Sequence, residues 1–183
     1  MRKMYKLNEV FYSVQGEGFH AGTPAIFIRF AGCNLNCHFC DTDFTEKMQM
    51  SKEDILARIN KYPSKFIVLT GGEPTLQVDE ELVQLLKHMG YYVAMESNGT
   101  NLVPNNIDWL TVSPKYKPVV QTKGDELKLV YQSQDITLYE QLEFVHFFLQ
   151  PMSMKNTADV IEKIKLNPKW RISTQLQKIW EVE

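Results

Sequence analysis

The chain has 183 residues, 44% hydrophobic and 23% charged, an ordinary globular balance at a length suited to one domain with a sizeable core. A net charge of -2 and a pI near 6.1 lack the basic excess on which nucleic-acid binders depend, and no apolar run approaches the roughly 18 residues of a membrane helix. Residues 1–9 are charged and then polar, without the apolar stretch of a signal peptide, so a soluble cytoplasmic protein is expected.

In chain order, a first strand is expected over 9–12 and a second, strongly apolar one over 25–30. Three cysteines then fall within eight residues, and the chain holds no others. Ser51 with Glu53 and Asp54 reads as a capped helix start, followed by Ile55, Leu56 and Ile59 at helical spacing. A strand over 66–70 precedes a helix over 79–89, which Gly90 can end. Strands over 91–96, 109–113, 126–131 and 145–149 follow, with helices over 135–143 and 156–166 and a last strand near 170–173. Alternating strands and helices imply parallel pairing through right-handed crossovers. A closed eight-fold barrel typically needs about 250 residues, so the expected architecture is a single-domain α/β protein, an open partial (β/α)6-type barrel over 1–183. Within it we distinguish an N-terminal segment at 9–24, a cysteine loop at 31–44 and a C-terminal segment at 170–183.

The spacing Cys33-x3-Cys37-x2-Cys40 carries the chemistry. Three neighbouring thiols cannot build a disulfide framework, and soft thiolates suit zinc or an iron–sulfur cluster. A closed zinc site needs four protein ligands, and His38, between two cysteines, is badly placed to be the fourth. A cluster held by three thiolates would leave one iron open to a small molecule. Further polar groups recur after successive strands: Thr70-Gly71-Gly72-Glu73-Pro74, Glu96-Ser97-Asn98-Gly99, Ser113-Pro114-Lys115 and Gln150-Pro151-Met152-Ser153. Each alone could be a turn, but the carboxyl ends of strands are where such sheets bind ligands. Paired glycines allow a ligand close to the backbone, and Glu73 can meet an ammonium. Arg29 interrupts an apolar strand on the face of Ala25 and Phe27; it either points to solvent or faces the barrel interior, where it needs an anionic partner. His20, His88 and His146 lack metal-ligand spacing.

The three-cysteine spacing followed some thirty residues later by Gly71-Gly72-Glu73-Pro74 resembles the radical S-adenosylmethionine (SAM) superfamily. Tyr12-Ser13-Val14-Gln15-Gly16-Glu17-Gly18, the run from Gly22 to Phe30 and Cys40-Asp41-Thr42 narrow the resemblance to the 7-carboxy-7-deazaguanine synthases, over about 9–153 with a weaker echo at Gln175-Leu176-Gln177-Lys178. That resemblance implies a [4Fe–4S] cluster on Cys33, Cys37 and Cys40. It implies SAM against Phe39, Cys40, Asp41, Gly72, Glu73, Ser97, Ser113, Pro114, Lys115, Gln150, Pro151, Met152 and Ser153. It also implies Mg2+ at Thr42, which could otherwise merely cap the loop, and a pterin substrate against Val14, Gln15, Gly16, Glu17, Arg29, Thr70 and Glu96. The implied reaction converts 6-carboxy-5,6,7,8-tetrahydropterin to 7-carboxy-7-deazaguanine with loss of ammonia, on the route to deazaguanine-modified tRNA bases. A flavodoxin- or ferredoxin-type electron donor and a homodimer are implied with it. Such synthases often end in proline after a Gln-x-His-Lys segment, whereas here Gln177 stands at the histidine position and the chain ends at Glu183. A glycyl-radical activase would share the cluster and the GGE motif, though not residues 14–18 or Thr42.

Overall fold

The computed structural model describes residues 2–116 and 118–182; Met1 and Glu183, both used in reading the termini, lie outside them. Nine strands are hydrogen-bonded into one sheet, in the order β3-β1-β2-β4-β5-β6-β7-β8-β9. They are β1 (Tyr5–Val14), β2 (Pro24–Phe30), β3 (Met48–Met50), β4 (Phe66–Gly71), β5 (Tyr92–Ser97), β6 (Trp109–Val112), β7 (Lys123–Tyr131), β8 (Glu143–Pro151) and β9 (Trp170–Ile172). From β2 through β9 every pairing is parallel, while β1 runs antiparallel to both β2 and β3. The sheet is therefore an open α/β barrel of seven parallel strands with an antiparallel flap.

Strand periodicity divides each strand between two environments. On β2, Ile26, Ile28 and Phe30 enter the main core, whereas Ala25 and Phe27 join Phe11, Val68 and Ala94 in a smaller cluster on the opposite face. The main core is completed by helices on the outer face. Helix α1 (Lys52–Ile59) starts in a capping box of Ser51 and Asp54 and buries Ile55 and Ile59. Helix α2 (Glu80–His88) is capped by Asp79, whose carboxylate accepts from Leu82 N, and buries Leu82, Val83 and Leu86. Helix α3 (Thr157–Leu166) crosses from β8 to β9, and the short α4 (Leu176–Trp180) ends the fold.

The expected helix over 135–143 is replaced by a single 3-10 turn, Ile136–Tyr139. Asp135 caps that turn through Thr137 N, and Glu143 then pairs with Lys123 as β8 begins. A turn follows at 140–142, where Leu142 N donates to Tyr139 O, and the strand begins only at Glu143. The short β3 and α4 were not anticipated. Three residues of β3 carry too little periodicity to read, and α4 is held by tertiary contacts, as its place in the site shows.

Candidate functional site

A cavity of about 520 Å³ opens at the carboxyl ends of the parallel strands. Its wall brings together the cysteine loop, the N-terminal segment at 14–17 and the C-terminal segment at 175–178. Cys33, Cys37 and Cys40 are free thiols lining this one cavity, the first two half-buried and the third exposed. Among the described residues no three His, Cys, Asp or Glu side chains converge on a point that would hold a single ion. Three soft thiolates on one loop suit an iron–sulfur cluster with one iron left open. The donor set fits the cluster.

The loop carrying the thiols is fastened to the sheet. Gly32 N donates to Phe44 O at 2.8 Å and Glu73 N to Gly32 O at 2.9 Å. Asn34, between the first two cysteines, donates to Thr100 Oγ1 and accepts from Asn98 Nδ2. A side chain at Gly72 would lie 2.6 Å from the Gly32 carbonyl carbon and 2.9 Å from Cys33 Cβ. The glycine is therefore required first by the close approach of the cysteine-loop backbone, whatever a ligand adds.

Glu73 is fully buried and is not part of the cavity wall. Its Oε1 accepts from Thr75 N, Thr75 Oγ1 and Ser97 Oγ, and its Oε2 accepts from Asn98 N at 2.7 Å. The carboxylate that the resemblance sets against the SAM ammonium holds the turn after β5. Pro114 is likewise buried outside the wall. The remaining residues expected to contact the cluster, SAM, Mg2+ or the pterin, including Phe39, Asp41, Thr42, Thr70, Lys115 and Met152, all line the cavity. Ser153 and Met154, after β8, adopt left-handed φ values of 45° and 64°, which non-glycine residues rarely do.

Arg29 lies on the face of Phe27, as the period-two pattern predicts, and lines the cavity. Its cross-strand neighbour is Glu9, and Nε donates to Glu9 Oε1 at 2.7 Å. The two terminal nitrogens make no hydrogen bond among the described residues, so the guanidinium can still receive a carboxylate. Glu9 also lines the wall and escaped the sequence reading.

Deeper in the cavity sits a charged cluster. Lys128 Nζ is 2.6 Å from Glu17 Oε2 and 3.5 Å from Glu96 Oε1, and the lysine is 4% exposed. Glu96 Oε1 also accepts from Gln15 Nε2, and Glu17 Oε1 from Gln175 and Gln177. Burial alone would raise the Glu17 carboxyl, but the Lys128 ammonium and the two amides outweigh it and hold the group well below the usual carboxylate range. Glu126, 2% exposed, is pushed up by burial while accepting from Phe19 N. Lys115 donates to Ser113 Oγ at 2.6 Å and is pushed down by burial and by the like charge of Lys128. The C-terminal segment closes the cluster: Leu176 N donates to Gly16 O, and Lys178 reaches Asp41 Oδ2 at 2.5 Å. Lys128 had a legible signal, since Glu126 and Lys128 interrupt a buried strand at period two, as Arg29 does. Gln175 and Lys178 had none beyond the weak echo.

Three thiols on one loop at the mouth of an open parallel barrel define a class. A family profile described as the Radical SAM superfamily matches residues 27–116. The 7-carboxy-7-deazaguanine synthase of Bacteroides thetaiotaomicron is 49% identical over 180 residues, 98% of this chain and 99% of that protein. The synthase of Burkholderia multivorans is 40% identical, covering 95% of this chain and 97% of its own. A crystal structure of QueE from Escherichia coli superimposes with a TM-score of 0.81 at 32% identity, covering 94% of each chain. The chain belongs to the 7-carboxy-7-deazaguanine synthase family. These near-full-length relatives disfavour the activase alternative. No helix among the described residues is long and apolar enough to cross a membrane.

Proposed function

We propose that this chain is a 7-carboxy-7-deazaguanine synthase, a radical SAM lyase that converts 6-carboxy-5,6,7,8-tetrahydropterin to 7-carboxy-7-deazaguanine with loss of ammonia. The observation that carries the reading is the meeting of three free thiols with a buried set of ionised groups around one cavity. Cys33, Cys37 and Cys40 would hold a [4Fe–4S] cluster. When bound, that cluster supplies the electron that cleaves SAM into methionine and a 5′-deoxyadenosyl radical.

The chain's own residues bind, orient and exclude water. Ser97, Ser113 and Lys115 offer donors at successive strand ends, and Lys115 suits the SAM carboxylate. Residues 150–153, Phe39 and Asp41 shape the wall around the rest of the cofactor. Arg29 offers its two free nitrogens to the pterin carboxylate, and Gln15, Glu17, Thr70 and Glu96 accept from or donate to its ring edge. Thr42 offers Mg2+ an oxygen ligand, a type this ion favours. The segment at 175–178 lies across the substrate side and helps keep water out. A flavodoxin- or ferredoxin-type reductant, a homodimeric assembly and a cytoplasmic location belong to the same reading.

The test is anaerobic turnover of the pterin with SAM and a chemical reductant, followed by mass spectrometry, with Cys37→Ala as the control. Absence of deazaguanine product from cluster-loaded protein that still cleaves SAM would overturn the substrate assignment.

A further inference from the structure

We propose that Lys128 is a positioning residue, whose ammonium holds Glu17 beside Glu96 as a two-carboxylate acceptor for an N–H donor edge of the substrate. The inference rests on the reading of this cavity as a pterin site, because the cyclic guanidine edge of a pterin presents such donors.

Geometry carries the argument. On β7, Leu127 and Leu129 face the main core, so Glu126, Lys128 and Val130 face the other way. Glu17 comes from the N-terminal segment and Glu96 from β5, so the ammonium ties three separate parts of the chain together. The charges facing it are Glu17, Glu96, Glu126 on its own strand, and Lys115 after β6. Asp41 lies one step further, already engaged by Lys178. Without Lys128, Glu17 and Glu126 would lie buried beside the partly exposed Glu96 with Lys115 as the remaining nearby cation, and like charges so placed disfavour the ionised form of a buried carboxyl. The neutral amides of Gln15, Gln175 and Gln177 orient the two acceptors but bring no compensating charge. A burial-only role predicts loss of stability when Lys128 is removed. A positioning role predicts a new proton linkage.

The experiment uses cluster-loaded enzyme with SAM and no reductant, titrated with the pterin by calorimetry in two buffers of different ionisation enthalpy. The parent is expected to exchange no proton at Glu17 between about pH 6 and 8, because Lys128 already holds that carboxyl well below the usual carboxylate range. Lys128→Met is expected to bind the pterin at least about ten-fold more weakly at pH 7, and to release up to about one proton on binding, so that affinity recovers as pH rises. Lys128→Arg restores the charge and should return pH-independent binding, even if its longer reach costs affinity. Proton release approaching one in the parent, or weak but pH-independent binding by Lys128→Met, overturns the proposal. Should Lys128→Met not fold, the parent and Lys128→Arg decide it, since substantial proton release by either has the same force. If the parent binds no pterin, the substrate reading fails by itself. The ionisation of Glu17 is then followed by carboxylate NMR, where titration of the parent above about pH 5.5, beyond the usual glutamate range, overturns the role of Lys128.

Discussion

Gly72→Ala tests whether the glycine pair serves the cysteine loop. The added methyl would sit 2.6 Å from the Gly32 carbonyl carbon, nearly 1 Å short of the roughly 3.5 Å at which carbon atoms pack without repulsion. The obstacle is backbone, so no rotamer relieves it, and the loop must move. Overpacking of this kind costs about 1–3 kcal/mol. The displaced loop also stretches the bond from Glu73 N to Gly32 O, 2.9 Å in the intact protein, at about another 1 kcal/mol. A total of about 2–4 kcal/mol lowers Tm by roughly 5–15 °C in a chain of this size. Cys33 follows Gly32 directly, so the iron content after anaerobic reconstitution should fall as well. Gly22→Ala is the control, because that glycine has a positive φ of 89°, which Gly72 lacks, but nothing within 4 Å of an added carbon. It should cost only the left-handed penalty of about 1–2 kcal/mol and leave iron content at the parental level. Gly72→Ala with full iron content and unchanged Tm would refute the reasoning.

Three further outcomes follow from the same geometry. Arg29→Ala should weaken pterin binding at least about ten-fold, since removing one partner of a buried charge pair typically costs about 2–5 kcal/mol; SAM affinity should hold and Arg29→Lys should recover only part of the loss. An analogue lacking the carboxylate should bind parent and Arg29→Ala equally, and loss of both ligands alike would make Arg29 a support of the fold. Thr42→Ala should lower Mg2+-stimulated turnover without weakening SAM binding, and equal stimulation in both proteins would remove Thr42 from the metal site. Asp79 is pushed up by burial but held below its ordinary value by Lys3, Leu82 N and Tyr5. Its contribution is therefore fully present above the unfolded pKa near about 3.9 and lost as pH falls through the lower folded value. Asp79→Ala should cost about 0.5–2 kcal/mol at neutral pH, shrinking in acid; a urea-unfolding deficit constant from pH 7 to about pH 2 would contradict this.

The sequence by itself determined what depends on local pattern. The cysteine spacing, the apolar runs of β2 and β4, the capped start of α1 and the apolar face of α2 are written in neighbouring residues, because period and capping act within a few positions. So did the face of Arg29, since alternation along a strand needs no partner. Only the tertiary structure decided what depends on pairing between distant segments. The expected helix at 135–143 is one 3-10 turn and a further turn that bring the chain to β8, whose first residue, Glu143, pairs with Lys123 of β7. Glu73 looked like a ligand-facing acid beside two glycines, yet the turn after β5 supplies its donors from Ser97 and Asn98, twenty-four and twenty-five residues away. The buried cluster of Lys128, Glu17 and Glu96 spans 111 residues. The local pattern marks Lys128 as a charge in a buried strand but does not give its partners, because the cost of burying each charge is offset only when the folded chain brings the others within reach.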